Sequence, residues 1–190
     1  MYAVIGEDQS DVDTIASIVR RLAKKENVVV KGKGFSGSGE LLKRGATQLQ
    51  AFQDLRFRKF IACYDSDGAD PEEKRRELID RIFKPAKLDG ECCALVPVHM
   101  IESWILADLP AIGKVITGWL PDEGPHNPEA RRNPKKHIAD LSARHHKPRY
   151  SHATMNAAIA KHLNLATVLR KCPSFAPLHD FVKTGVGNLK

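Results

Sequence analysis

The sequence predicts an α/β protein: a parallel sheet flanked by helices, with a basic helical extension. Three observations lead there. Short apolar runs alternate with stretches of helical periodicity from Tyr2 to Val98. Acidic residues follow two of those runs directly, at the strand ends where open parallel sheets collect ligands. From Leu109 onward the strand-like runs stop and the charge turns positive. A chain of 190 residues, 42% hydrophobic, suits one core. We therefore expect a single domain in which 1–108 form the α/β core and 109–190 pack on it.

The elements follow in order. "MYAVIG" is a short β-like run. "SDVDTIASIVRRLAKKE" then sets Ile15, Ile18, Val19 and Leu22 at helical spacing. Ser10 with Asp13 three residues later resembles a capping box, which puts the helix start near Asp11. "NVVVK" reads as a second strand, and after a glycine-rich loop "ELLKRGATQLQAF" gives a second helix, with Gly45 as a tolerated flaw. "KFIACY" is a third strand, "PEEKRRELIDRIF" a third helix opened by Pro71, and "CCALVPV" a fourth strand. Strands alternating with helices favour parallel pairing through right-handed crossovers. Beyond Leu109, "PAIGKVITGWL", "KKHIADLSARHH", "ATMNAAIAKHLNLATVLRK" and "SFAPLHDFVKTG" read as short helices.

The net charge of +7 is unevenly placed: residues 109–190 hold 13 Lys and Arg against 5 acids, so the first 108 are slightly acidic. Within "RRNPKKHIADLSARHHKPR", Arg131, Arg132, Lys135, Lys136, Arg144, Lys147 and Arg149 face one acid, Asp140. Such a run could hold a nucleic-acid backbone by charge, or be a solvated face. Cys63, Cys92, Cys93 and Cys172 show no CxxC spacing and have apolar neighbours, so they read as buried thiols. No apolar run is long enough for a membrane span or a secretory signal. A cytoplasmic location without a membrane partner is expected.

"FIACYDSDGADP" carries the chemistry, with three aspartates in six positions after a strand. If the backbone stays extended, Asp65 and Asp67 point to the same side, and Glu7 past the first strand could join them. Unpaired carboxylates would repel, and a hard cation such as Mg²⁺ would relieve that. The structural alternative is that the aspartates cap the third helix and its turn.

A glutamate in "VIGEDQSD" followed two βα units later by the Asp-x-Asp of "IACYDSDGAD" resembles the Toprim fold of topoisomerases, bacterial primases and the overcoming-lysogenisation-defect nucleases. "VPVHMIESWILAD", "NPKK" and "CPSF" are similar to small stand-alone Toprim-like proteins grouped as domain of unknown function 4276. The resemblance implies a Toprim-like, Rossmann-like sheet and Glu7, Asp65 and Asp67 as the centre binding Mg²⁺, or Mn²⁺, with Glu102 a further catalytic acid. For the lysine of the related nucleases, only Lys135 or Lys136 could stand in. It further implies a metal-dependent nuclease of DNA or RNA in phage or plasmid defence, with a separate ATPase as a possible partner. A non-catalytic module that binds nucleic acid or such an ATPase is the alternative. Four acids could hold two cations in phosphodiester hydrolysis, whereas one cation could merely orient a phosphate.

Other signals lead elsewhere. "GKGFSG" has the form of a dinucleotide fingerprint but follows the second strand, so a flexible or phosphate-contacting loop fits better. No phosphate-binding P-loop motif occurs, so any nucleotide hydrolysis belongs to another chain. "DSDGAD" lacks the later acidic pair of dehalogenase-like phosphatases, and a receiver-type phosphoacceptor would need a hydroxyl after "VHM" and a lysine on a fifth strand. His145, His146, His152 and His162 lack zinc spacing. Trp104 reads as core, and Asp108 stands about 240° round a helix from Glu102, off any shared face.

Overall fold

The computed structural model of the chain describes residues 1–24, 27–119, 123–145 and 148–189. Four strands, β1 (Tyr2–Gly6), β2 (Val30–Gly34), β3 (Lys59–Cys63) and β4 (Glu91–Leu95), pair all-parallel in the order β2-β1-β3-β4. The architecture is the α/β sheet that the alternation predicts, consistent with a Rossmann-like fold. From β1 the chain moves outward to β2, then returns past β1 to β3 and β4. The connections therefore diverge between β1 and β3, which is the switch point at which such sheets open a crevice.

Both faces are covered, which is why the inner strands read as near-continuous apolar runs. Val4, Ile61, Cys63, Cys93 and Leu95 face α1 (Gln9–Ala23) and the C-terminal helices. Ala3, Ile5, Phe60, Ala62, Cys92 and Ala94 face α2 (Ser38–Asp54) and α3 (Pro71–Leu78). Helix α3 continues through a π-helical turn, Ile79–Phe83, into α4 (Lys84–Ala86). Gly45 is no flaw here. A Cβ on it would come 2.9 Å from Ile82 of the π-turn and 3.1 Å from Ile5, so its absence lets α2 sit close.

Two boundaries differ from expectation. The second strand begins only at Val30, within "NVVVK", and runs on to Gly34, so the first glycines of "GKGFSG" belong to it. Helix α1 crosses so close to this edge strand that a Cβ on Gly32 would sit 2.1 Å from Val12 Cγ1, and one on Gly34 2.3 Å from the Gln9 nitrogen. The Gly34 N–H instead donates to Gln9 Oε1 at 2.9 Å. The motif is thus a helix-packing device. Helix α1 starts at Gln9, and its N-cap is Asp8, which accepts from the Asp11 N–H at 3.0 Å and from the Ser10 hydroxyl at 2.7 Å. Helix α3 is capped by Asp70, which accepts from the Glu72 N–H at 3.0 Å with Pro71 at the first position. Asp65 and Asp67 do not cap it.

The rest is α5 (Glu102–Leu106), α6 (Pro134–His145), α7 (His152–Ala160), α8 (Leu165–Lys171) and α9 (Ala176–Thr184), with short 3₁₀ turns and no strand among the described residues. Helix α7 lies along α1, and α9 packs on α1 and β4. One apolar cluster joins Val4 and Ile15 to Trp104, Ile138, Ile159 and Phe175. Trp104 is fully buried, donates to Ser174 Oγ at 3.0 Å and meets the Phe175 ring edge-on at 5.1 Å. That contact accounts for "ESW" and "CPSF" as packing partners. Asn188 lies against the free edge of β4: its N–H donates to the Cys92 carbonyl at 3.0 Å, and its side chain exchanges two hydrogen bonds with the Ala94 backbone. All four cysteines are free and buried, and burial pushes Cys92 and Cys93 up to about 12. Among the described residues no helix is long and apolar enough to cross a membrane.

Gly32→Ala should therefore destabilise the protein by about 1–3 kcal/mol, the usual cost of overpacking. Gly39→Ala, where a Cβ meets nothing within 4 Å, should be neutral or mildly stabilising. Denaturant unfolding of both variants checks the pair.

Candidate functional site

Parallel pairing of β1 with β3 places the residues just past their ends side by side. Glu7 Oε1 accepts a hydrogen bond from the Asp65 backbone N–H at 3.0 Å. Burial raises the Glu7 pKa, and Asp67 and Asp8 push the same way, while that hydrogen bond and Lys74 oppose them. Asp65 follows Cys63 on the α1 side of the sheet, and its Oδ1 is sealed from solvent with no hydrogen-bond partner among the described residues. Burial first, then Asp11, Glu102, Glu7 and Asp67, hold its pKa well above the carboxylate range.

Asp11 belongs to this cluster, and the sequence reading missed it as a site residue. It is 6% exposed in the first turn of α1. Burial, with Asp8 and Glu102 adding repulsion and Lys135 opposing, pushes it up to about 8. The signal was present in the sequence: Asp11 heads the stripe 11, 15, 18, 22, whose other members are apolar. A carboxylate on the buried face of an amphipathic helix needs a reason other than starting it. Asp8 behaves differently. Burial works against its charge, yet hydrogen bonds from Ser10 and Asp11, with Lys135 near, leave its pKa lowered.

The Asp-x-Asp pair is not built on an extended backbone. Asp67 is exposed and adopts a left-handed conformation with φ 48°, followed by Gly68 at φ 87°. The chain therefore turns at Asp67, and the same-side argument fails there. Asp67 still acts electrostatically on both Glu7 and Asp65. Its N–H donates to the His99 carbonyl at 3.1 Å, the Ser66 N–H to Pro97 at 3.1 Å, and the His99 N–H to Ser66 Oγ at 2.9 Å. His99 is itself left-handed, with φ 60°. Two non-glycine residues in that sparse region, tied together across two loops, are a local strain held by the sheet.

Helix α5 brings in Glu102, 1% exposed. Its Oε1 accepts from Asn156 Nδ2 at 3.0 Å, and Asn156 Oδ1 accepts from the Tyr150 hydroxyl at 2.5 Å. Lys135 Nζ stands 3.7 Å from the same carboxylate oxygen. Lys135 thus belongs to the acidic site, while Arg131, Arg132 and Arg149 are exposed and Lys136 is exposed and paired with Asp140 at 2.6 Å. His146 and Lys147 lie outside the described residues, as does the side chain of Arg144. Asp108 is elsewhere, accepting from the Asn164 N–H at 2.6 Å.

Among the described residues no three His, Cys, Asp or Glu side chains are set, as they stand, to hold a metal ion. The donor set still fits a hard cation. It offers oxygen only, includes the unpartnered buried oxygen of Asp65, and Mg²⁺ commonly takes one or two carboxylates while keeping several waters. Glu7, Asp65 and Asp67 form the more exposed side of the cluster, with Asp11 and Glu102 deeper.

The family described as "Domain of unknown function (DUF4276)" matches the chain over residues 6–183. No curated protein and no solved structure matches it.

The raised acids give a pH prediction. Native Asp11 holds its proton up to about pH 8, whereas an unfolded aspartate releases it near 3.8. Between those values the native state binds more protons, so stability should fall as pH rises from about 4 to 8. Asp11→Asn should flatten that decline, and Mg²⁺ should offset it in the wild type by replacing the protons. Thermal melts across this range check both.

Proposed function

Because the chain belongs to the DUF4276 family, whose match spans every acid of this site and Lys135, we propose that it is a Mg²⁺- or Mn²⁺-dependent nuclease of Toprim-like type that hydrolyses nucleic-acid phosphodiester bonds. The observation that carries the proposal is Asp65: a carboxylate at the switch point of a parallel sheet, with a buried oxygen that nothing in the described chain satisfies. An unsatisfied buried polar group is costly, by about 1–3 kcal/mol, and a cation with its water shell would satisfy it.

The roles follow from placement. Glu7, Asp65 and Asp67 would hold the cation at the mouth of the site, and Asp11 and Glu102 would give a second cation its ligands. Bound there, the metal supplies positive charge to the attacking and leaving oxygens of the phosphodiester. Lys135 neutralises Glu102 in the metal-free protein and stands ready to face a phosphate. Arg131, Arg132, Lys136 and Arg149 present positive charge to a DNA or RNA backbone. The chain has no P-loop motif of its own, so coupling to nucleotide hydrolysis, as in a phage or plasmid defence complex, would need a separate ATPase. A cytoplasmic setting suits those substrates.

One observation favours a second reading. The absence of a ready three-carboxylate group among the described residues suits a non-catalytic module that binds nucleic acid or a partner ATPase without cutting.

Incubation with single- and double-stranded DNA and with tRNA, at graded Mg²⁺ and Mn²⁺, separates the two. In the nuclease, Asp65→Asn and Asp67→Asn lower cleavage steeply while binding survives or rises, because repulsion of phosphate is relieved. Asp65→Asn should leave the metal-free fold at least as stable, and Mg²⁺ should raise the melting temperature of the wild type more than that of the variant. A wild-type melt indifferent to millimolar Mg²⁺ would remove the metal from the reading.

A further inference from the structure

The acidic edge has a second fixed cation, on the opposite face of the sheet from Lys135. Side chains alternate along a strand, so Tyr64 points away from Asp65, into the α2 and α3 layer, where it is 4% exposed. Lys74, in the first turns of α3, donates to the Tyr64 hydroxyl, and its Nζ lies over the ring, 4.2 Å from the centroid. Glu77 is 3.9 Å away, a loose ion pair. Glu7 and Lys74 each act on the other's charge, so this ammonium stands beside the acidic edge. A quarter of its side chain remains open to solvent.

Helix stability does not explain this placement. Near a helix N-terminus a cation opposes the macrodipole, and holding a lysine still costs rotamer freedom. Two contacts with one buried ring nevertheless fix it. A lysine ammonium is a compact charge with three donors, the type of group that binds phosphate as a point charge. The hydroxyl takes one donor.

We propose that Lys74 is a phosphate-contact residue of this site, holding the nucleic-acid backbone on the α3 side of the acidic edge. The proposal rests on the nucleic-acid reading above and adds a path to it. The strand runs across the carboxyl edge of the sheet, from the exposed arginines that precede α6, past Lys135 and Asp65, to Lys74. Tyr64 is a positioning residue that acts only by holding Lys74.

Anisotropy titrations of a labelled single-stranded oligonucleotide, in chelator and at graded KCl, test it with wild type, Lys74→Met, Lys74→Gln, Lys74→Arg and Tyr64→Phe. Removing one phosphate contact should reduce the slope of log K against log salt by about 0.7 in Lys74→Met and Lys74→Gln. Lys74→Arg should keep the wild-type slope. Tyr64→Phe keeps the charge but loses the hydroxyl that holds it, so its slope should also stay while its affinity falls several-fold. Two neutral variants keep the slope measurable if one misfolds. Wild-type binding with an unchanged slope in a folded neutral variant overturns the role of Lys74 and leaves the nuclease reading intact. A wild type that binds neither DNA nor RNA overturns both.

Discussion

The register between β1 and β3 is the constraint from which the rest of the molecule is built. It brings Glu7 past the end of β1 to the Asp65 backbone N–H past the end of β3, at 3.0 Å, and so gathers carboxylates that repel one another at a single edge of the sheet. The structure meets that repulsion in several ways at once. The Asp65 N–H is given to Glu7, burial and repulsion raise the pKa of Asp65, and a lysine is held on each face, Lys135 beside Glu102 and Lys74 beside Glu7. The proposed cation would answer the same repulsion directly.

The helical extension follows from the same constraint. A parallel sheet must be covered on both faces, and α2 and α3 cover only one. The other is closed by α1 together with α5, α6, α7 and α9, whose apolar residues run into one cluster with Val4, Ile61 and Leu95. Closing that face also buries Asp11 and Glu102 and brings Lys135 to them. Fold and site are therefore not separable here: truncating the extension would uncover the core and dismantle the acidic centre together. The tail segment at Asn188 completes the arrangement by occupying backbone groups on the free edge of β4, an edge otherwise open to pairing with another chain.

What was legible in the sequence and what was not divides along physical lines. Strands β1, β3 and β4 stood out because strands covered on both faces need continuous apolar runs, and α3 because Asp70-Pro71 is a strong start signal. Strand β2 was started three residues too early because its position is fixed by the approach of α1 to Gly32 and Gly34, a contact between segments with no local signature. The neighbourhood of Glu7 and Asp65 could be read from strand order. The turn at Asp67 could not, because a left-handed residue other than glycine shows itself only through its tertiary bonds, here to His99. Lys135 sat in a run of seven basic residues; the resemblance narrowed the choice to Lys135 or Lys136, and nothing local tells which of those two turns towards Glu102.

The acids of this edge fall into two kinds by what holds them. Asp8 and Asp70 cap α1 and α3 with hydrogen bonds of 3.0 Å to helix N–H groups, which is the ordinary structural use of aspartate at such places. Asp8 pays for its burial through those bonds and keeps a lowered pKa. Asp65 and Asp11 have their pKa values raised by burial first and then by neighbouring carboxylates, Asp11 acting on Asp65, and Asp8 and Glu102 acting on Asp11. Their local structural work is already done by neighbours. A purely structural explanation would find Asp65 satisfied in place, as Glu129 is by the Ser174 hydroxyl at 2.5 Å and its N–H at 3.1 Å. The contrast between a buried glutamate that is bonded and a half-buried aspartate with a sealed, unpartnered oxygen marks Asp65 as the residue at which the proposed cation would bind.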